Sequence, residues 1–148
     1  RPLRATNFVK MPGWTGKTVW GEVLIFERKD GNTAATLGQL LTWDLEDVDN
    51  GCAKGQKHFE RSCGIQVEEG TCDSPPSAPT DMWDKDVVDR NPWDCISYTS
   101  LWTHRTVKAA GRSITAYAGM GTQEMIGQVV IVYSSLGLPM ACADILFE

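Results

Sequence analysis

Gly51-Cys52-Ala53-Lys54-Gly55-Gln56-Lys57-His58-Phe59 is the stretch on which the reading of this chain turns. A cysteine and a histidine stand six positions apart in it, behind a glycine and before a phenylalanine. Two other stretches belong with it: Gly111-Arg-Ser-Ile-Thr-Ala-Tyr117, and Gly137-Leu-Pro-Met-Ala-Cys142-Ala-Asp-Ile145 near the end. The residues between them read as short β segments. Residues 18–28 are rich in β-branched and aromatic side chains and predict the clearest strand, closed by a turn at Lys29-Asp30-Gly31-Asn32. Residues 33–44 predict its partner, with Leu37, Leu40, Leu41 and Trp43 as the apolar positions. Further strands are predicted at 3–10, 95–102, 113–118, 129–133 and 141–147, and an acidic loop at 45–50. Residues 60–94, with Pro75, Pro76, Pro79 and Pro92, carry no strand or helix period and predict one long loop. Many short strands and no convincing helix imply an all-β sandwich or barrel, one domain over residues 1–148.

The order and spacing of the three stretches resemble copper/zinc superoxide dismutase. In that family a Gly-Cys precedes a Pro-His-Phe with the spacing of Cys52 and His58. Its Gly-Arg-x-x-x-x-His strand matches residues 111–117, and its Leu-Ala-Cys-Gly matches residues 140–143. The resemblance implies a Greek-key β-sandwich or barrel with one long loop, and a disulfide joining Cys52 to Cys142. It also implies that the chemistry is gone. The four copper imidazoles fall on Leu41, Trp43, His58 and Tyr117, of which only His58 is a histidine. One imidazole does not supply the nitrogen-rich coordination of copper(II). The long loop, where the family builds its zinc site, has no histidine, and the position of the substrate-steering arginine holds Pro139. The expectation is a protein without dismutase activity or cofactor, similar to ligand-depleted dismutase-like proteins of invertebrate body fluid.

Composition narrows the rest. A net charge of −5 and a pI near 5.0 argue against a nucleic-acid partner. No apolar run has the length of a membrane span. The chain begins at Arg1 and has five cysteines, none in a Cys-x-x-Cys pair, which together suggest a mature secreted product rather than a zinc ribbon. The pairing of Cys63, Cys72 and Cys95 stays open, with one free or linked to another chain. Asp81, Asp84 and Asp86, with His58, are the weak metal candidates; a solvated acidic face is the alternative. The acidic run 44–51 misses the calcium-loop pattern at Val48 and Lys57. No nucleophile elbow, phosphate loop or zinc-protease motif occurs. Two classes of function follow. One is a non-enzymatic structural or assembly subunit, a homo-oligomer or part of a larger assembly, with Trp14, Trp20, Trp83 and Trp93 available to an interface. The other is a carrier, for a divalent metal on the acidic loops or a small apolar ligand where Leu41, Trp43 and Tyr117 would converge, the alternative being that these three repack the core.

Overall fold

Alternation along the second predicted segment sets the architecture. In β3 (Trp20–Lys29) Val23 and Ile25 are fully buried, while Phe26, on the opposite face, is exposed. In β4 (Leu37–Glu46) Gln39, Leu41, Trp43 and Leu45 are all buried, with Asp44 on the opposite, exposed face. A period of two with one wet face is the signature of a strand covering a core on one side. The two strands pair over their whole length, from Trp20 opposite Glu46 to Lys29 opposite Leu37.

The computed structural model describes residues 1–147. The remaining strands are β1 (Leu3–Ala5), β2 (Val9–Lys10), β5 (Ile65–Glu68), β6 (Leu101–Trp102), β7 (Val107–Arg112), β8 (Val129–Tyr133) and β9 (Pro139–Phe147). All pairings are antiparallel, in the order β5-β8-β9-β1-β3-β4-β7-β6, with β2 added against β9. The sheet curls into half a barrel. Its concave side holds one core drawn from both arms: Leu3, Val23, Ile25, Leu41 and Leu45 meet Ile65, Val67, Val130, Val132 and Ile145.

β8 is buried on both faces. Val130 and Val132 point into the main core, whereas Val129, Ile131 and Tyr133 form a second cluster on the convex side with Met11 and Cys142. The long connection after β5 covers that second cluster, which is why a run of Val and Ile is tolerated there without alternation.

Three expectations are corrected. Residues 60–94 are not one unbroken loop, because Ile65-Gln-Val-Glu68 pairs with β8. The segment 95–102 is a strand only at Leu101–Trp102 and opens with a 3-10 turn at Pro92–Cys95. The strand expected at 113–118 lies earlier, at Val107–Arg112, while the later residues make a single bridge between Ala116 and Gln39.

The disulfides are corrected as well. Cys52 bonds Cys63, and Cys142 bonds Cys72; Cys95 is free and exposed. The reason is the face each cysteine occupies. Cys52 and Cys63 lie in the concave core, whereas Cys142 projects into the convex cluster, on the far side of its own strand. A Cys52–Cys142 bond would have to pass through the sheet. Two bridges within the chain are compatible with an extracellular protein. No helix among the described residues is long and apolar enough to cross a membrane.

Candidate functional site

The positions that the dismutase resemblance assigns to copper do not converge. Leu41 and Trp43 alternate inward along β4 and belong to the main core. Tyr117 is 36% exposed, and its hydroxyl donates to Asp30 in the β3–β4 turn. Asp30 is held below the usual carboxylate range by that hydroxyl and by Arg28. His58 is exposed on the segment that leads to Cys63. Backbone pairing explains the placement of Tyr117. Ala116 exchanges hydrogen bonds with Gln39, at 2.9 and 2.7 Å, and lays the segment over Gly38. A Cβ on Gly38 would stand 2.4 Å from the Ala116 carbonyl oxygen, so only glycine permits the approach. Of the two alternatives for these positions, Leu41 and Trp43 pack the core, and Tyr117 does not join them in an apolar pocket.

The acidic candidates separate too. Asp84 caps a turn, with its carboxylate accepting the Asp86 N–H at 2.9 Å and its carbonyl accepting from Val87 and Val88. Asp86 is exposed. Among the described residues no group of three or more His, Cys, Asp or Glu side chains stands where it could hold a metal ion.

Asp81 enters a different constellation. Residues 80–82 run beside the end of β5: Glu69 donates to the Thr80 carbonyl, Met82 to the Val67 carbonyl, and Asp81 bridges Glu68. Glu68, only 1% exposed, accepts from the Tyr133 hydroxyl and from the Thr80 N–H. The Asp81 side chain, 2% exposed, takes the Asn91 amide at 2.5 Å and the Arg61 guanidinium at 3.3 Å. Arg61 also reaches Glu60 at 2.7 Å. The Arg61 Nε and one oxygen of Asp81 are buried and make no hydrogen bond. Together these residues wall two adjoining recesses of about 430 and 410 Å³ under the long loop.

Burial pushes the Glu68 carboxyl upward, with the Asp81 charge adding to it and the Tyr133 hydroxyl opposing. Burial also raises Asp81, against the pull of Asn91 and Arg61. The Tyr133 hydroxyl is raised by burial and by Glu68, so it stays a donor. Chemically the arrangement is a mixed-charge clamp that pins the loop to β5 and β8. Sequence reasoning singled out Asp81 but not Arg61, Glu68, Asn91 or Tyr133. The only trace was Glu68 alternating with Ile65 and Val67 in a four-residue β pattern.

A pH prediction follows. An acid whose folded pKa is raised contributes stability below its unfolded pKa, and that contribution is lost as pH rises through the folded value. Glu68→Gln keeps the shape and an acceptor for Tyr133 but removes the charge. Relative to wild type, its stability should improve between pH 5 and pH 8, read as urea midpoints at the two values. A variant that instead becomes relatively weaker at pH 8 would show that the Glu68 charge is stabilising.

No protein-family model matches the sequence, and no curated protein or solved structure matches it either.

Proposed function

We propose that the chain is a secreted, non-enzymatic structural or assembly subunit, a pseudoenzyme on a Greek-key sandwich of the copper/zinc superoxide dismutase type. The observation that carries this reading is the fate of Leu41 and Trp43. They are packing residues of the core, and neither offers a metal a lone pair. His58 and Tyr117 lie apart from them on the surface. The strand order supports the Greek-key part. β7 lies beside β4 although β5 and β6 intervene in sequence, and β9 returns to lie between β1 and β8. Long returns of this kind are what a Greek key requires. Where the family carries zinc, residues 60–94 here hold the Arg61–Asp81 pair, so that an arginine supplies the cation that ties the loop down.

The assembly part is supported by exposed apolar side chains. Leu136 and Leu138 flank the β8–β9 turn, Leu146 and Phe147 end β9, and Trp20 opens β3, each more than half exposed. Of the four tryptophans expected at an interface, Trp93 is already fully buried in its own domain, and Trp14 and Trp83 pack partly against the core. Trp20 is the one left to a partner.

One preparation tests both parts. Supplied with copper(II), the protein should give no stoichiometric nitrogen-rich copper spectrum and no superoxide turnover above free metal. In sedimentation it should exceed the 16.3 kDa of one chain. A tight histidine-type copper would overturn the pseudoenzyme reading, and a single monomeric species would overturn the assembly reading.

A further inference from the structure

Three tryptophans gather around one carboxylate at the end of the half-barrel where β3 and β4 meet the β6–β7 turn. Asp47, in a left-handed conformation just after β4, accepts the Trp20 indole N–H at 3.2 Å and the Thr106 hydroxyl at 2.9 Å. Trp14 and Trp102 line an adjoining recess of about 400 Å³, whose floor includes Val48, Val107 and Met140. Trp14 is fixed there. Its indole N–H donates to the Lys17 carbonyl at 3.2 Å, and a Cβ on Gly16 would stand 2.9 Å from its ring. Trp102 sits on the two-residue edge strand β6 and is 63% exposed.

The charge of the recess selects the guest. Asp47 and Asp49 line it as carboxylates and Lys17 as the single amine. Asp49 is held below the usual carboxylate range: burial opposes this, but the N–H groups of Ser135 and Gly51 outweigh it. The balance at the site is negative. The carboxylate oxygens are also already engaged. Asp49 accepts from Gly51 and Ser135 at 2.7 Å each, and both oxygens of Asp47 are taken by Trp20 and Thr106. A primary ammonium or a sugar must replace its lost hydration with directed hydrogen bonds, and about half of the acceptor capacity of these two carboxylates is already used. A quaternary ammonium needs no such bonds. It asks for negative field, aromatic faces and apolar surface for its methyl groups. Lys17 shows that the site draws a cation, since its ammonium approaches Asp47 to 3.9 Å while its side chain stays 76% exposed. Such a loose pair is readily displaced.

We propose that the Trp14–Trp102 recess binds a quaternary ammonium group, free in solution or on a lipid head. Isothermal titration with choline should show saturable binding that weakens with salt. The carbon isostere, in which a tert-butyl group replaces the trimethylammonium, should bind at least about tenfold more weakly, because it keeps the shape and loses the cation–π and charge terms. Trp102→Ala and Asp47→Asn should each lower choline affinity by about tenfold. Trp102 is outside the core, so its variant reports on the site rather than on folding. Co-sedimentation with phosphatidylcholine vesicles identifies a lipid head as the source, and choline binding without it identifies a soluble ligand; either upholds the site. No choline binding, equal binding of the isostere, or an unaffected Trp102→Ala would each overturn it.

Discussion

Trp93→Ala is expected to lower the free energy of unfolding by about 3–5 kcal/mol, the range for truncating a fully buried large aromatic. Trp93 is 0% exposed and occupies the 3-10 turn at Pro92–Cys95. The turn forms because Pro92 presets its start and the Asn91 side chain accepts the Trp93 N–H at 2.9 Å. Strand β5, the segment around Met82 and the 3-10 turn are joined through this one residue. Its indole N–H donates to the Met82 carbonyl at 2.8 Å, and its own carbonyl accepts the buried Gln66 amide at 2.9 Å. Its ring lies in the main core with Ile65 and Ile96. Truncation would remove apolar volume and leave the Met82 carbonyl without its donor. Trp93→Phe separates the two losses. It retains most of the ring and leaves the Met82 carbonyl unpaired, for an expected loss of about 1–3 kcal/mol. Denaturant titration of the two variants measures both values. A loss below about 1 kcal/mol for Trp93→Ala would mean that the long connection is ordered by something other than this anchor.

The same residue shows where the sequence stops being legible. Residues 129–133 announce themselves as a strand, a run of Val and Ile ending in Tyr, and the structure adds that the strand is buried on both faces. β3 and β4 are equally plain, with a predicted hairpin and an observed ten-residue ladder. Trp93 stands among prolines in a segment without period, and nothing local distinguishes an anchor from an exposed aromatic. The clamp of Arg61, Glu68, Asp81 and Tyr133 is assembled from four places in the chain, so no spacing encodes it. The face of a side chain is decided by strand register, and a motif aligned by counting does not carry register. Counting puts Leu41 and Trp43 at former copper positions but cannot place Tyr117 relative to them; the alternation of β4 turns the first two into the core, while Tyr117 stays at the surface. The cysteines follow the same rule, since the register of β9 puts Cys142 on the face away from Cys52.

Loss of the Cys72–Cys142 bridge is expected to cost about 4 kcal/mol, against about 3 kcal/mol for Cys52–Cys63. On the chain-entropy account the stabilisation grows with the loop closed, and the two bridges span 70 and 11 residues. The paired variant Cys72→Ser with Cys142→Ser avoids leaving a lone thiol and isolates the first term. Its effect should be local as well as global. Cys72 secures the start of the covering connection, where the Cys72 N–H donates to Asp144 at 3.0 Å and the Gly70 N–H to Gln128 at 2.9 Å. Beneath it lie Val129 and Ile131, in the convex cluster that Met11 belongs to and Cys72 packs against. Amide exchange across residues 69–82 and in β8 should therefore rise in this variant beyond what the global loss explains. The Cys52→Ser, Cys63→Ser pair should leave those amides close to their global protection, since its bridge lies in the concave core. Peptide mapping of the non-reduced protein supplies the direct check, with crosslinked fragments containing 52 with 63 and 72 with 142. A fragment joining Cys52 to Cys142 would require the sheet to present both side chains on one face, and would overturn the register of β9 along with the bridge. Both bridges also tie stability to compartment: in a reducing environment the chain would lose both terms, a sum comparable to the whole stability of an ordinary domain of about 5–15 kcal/mol.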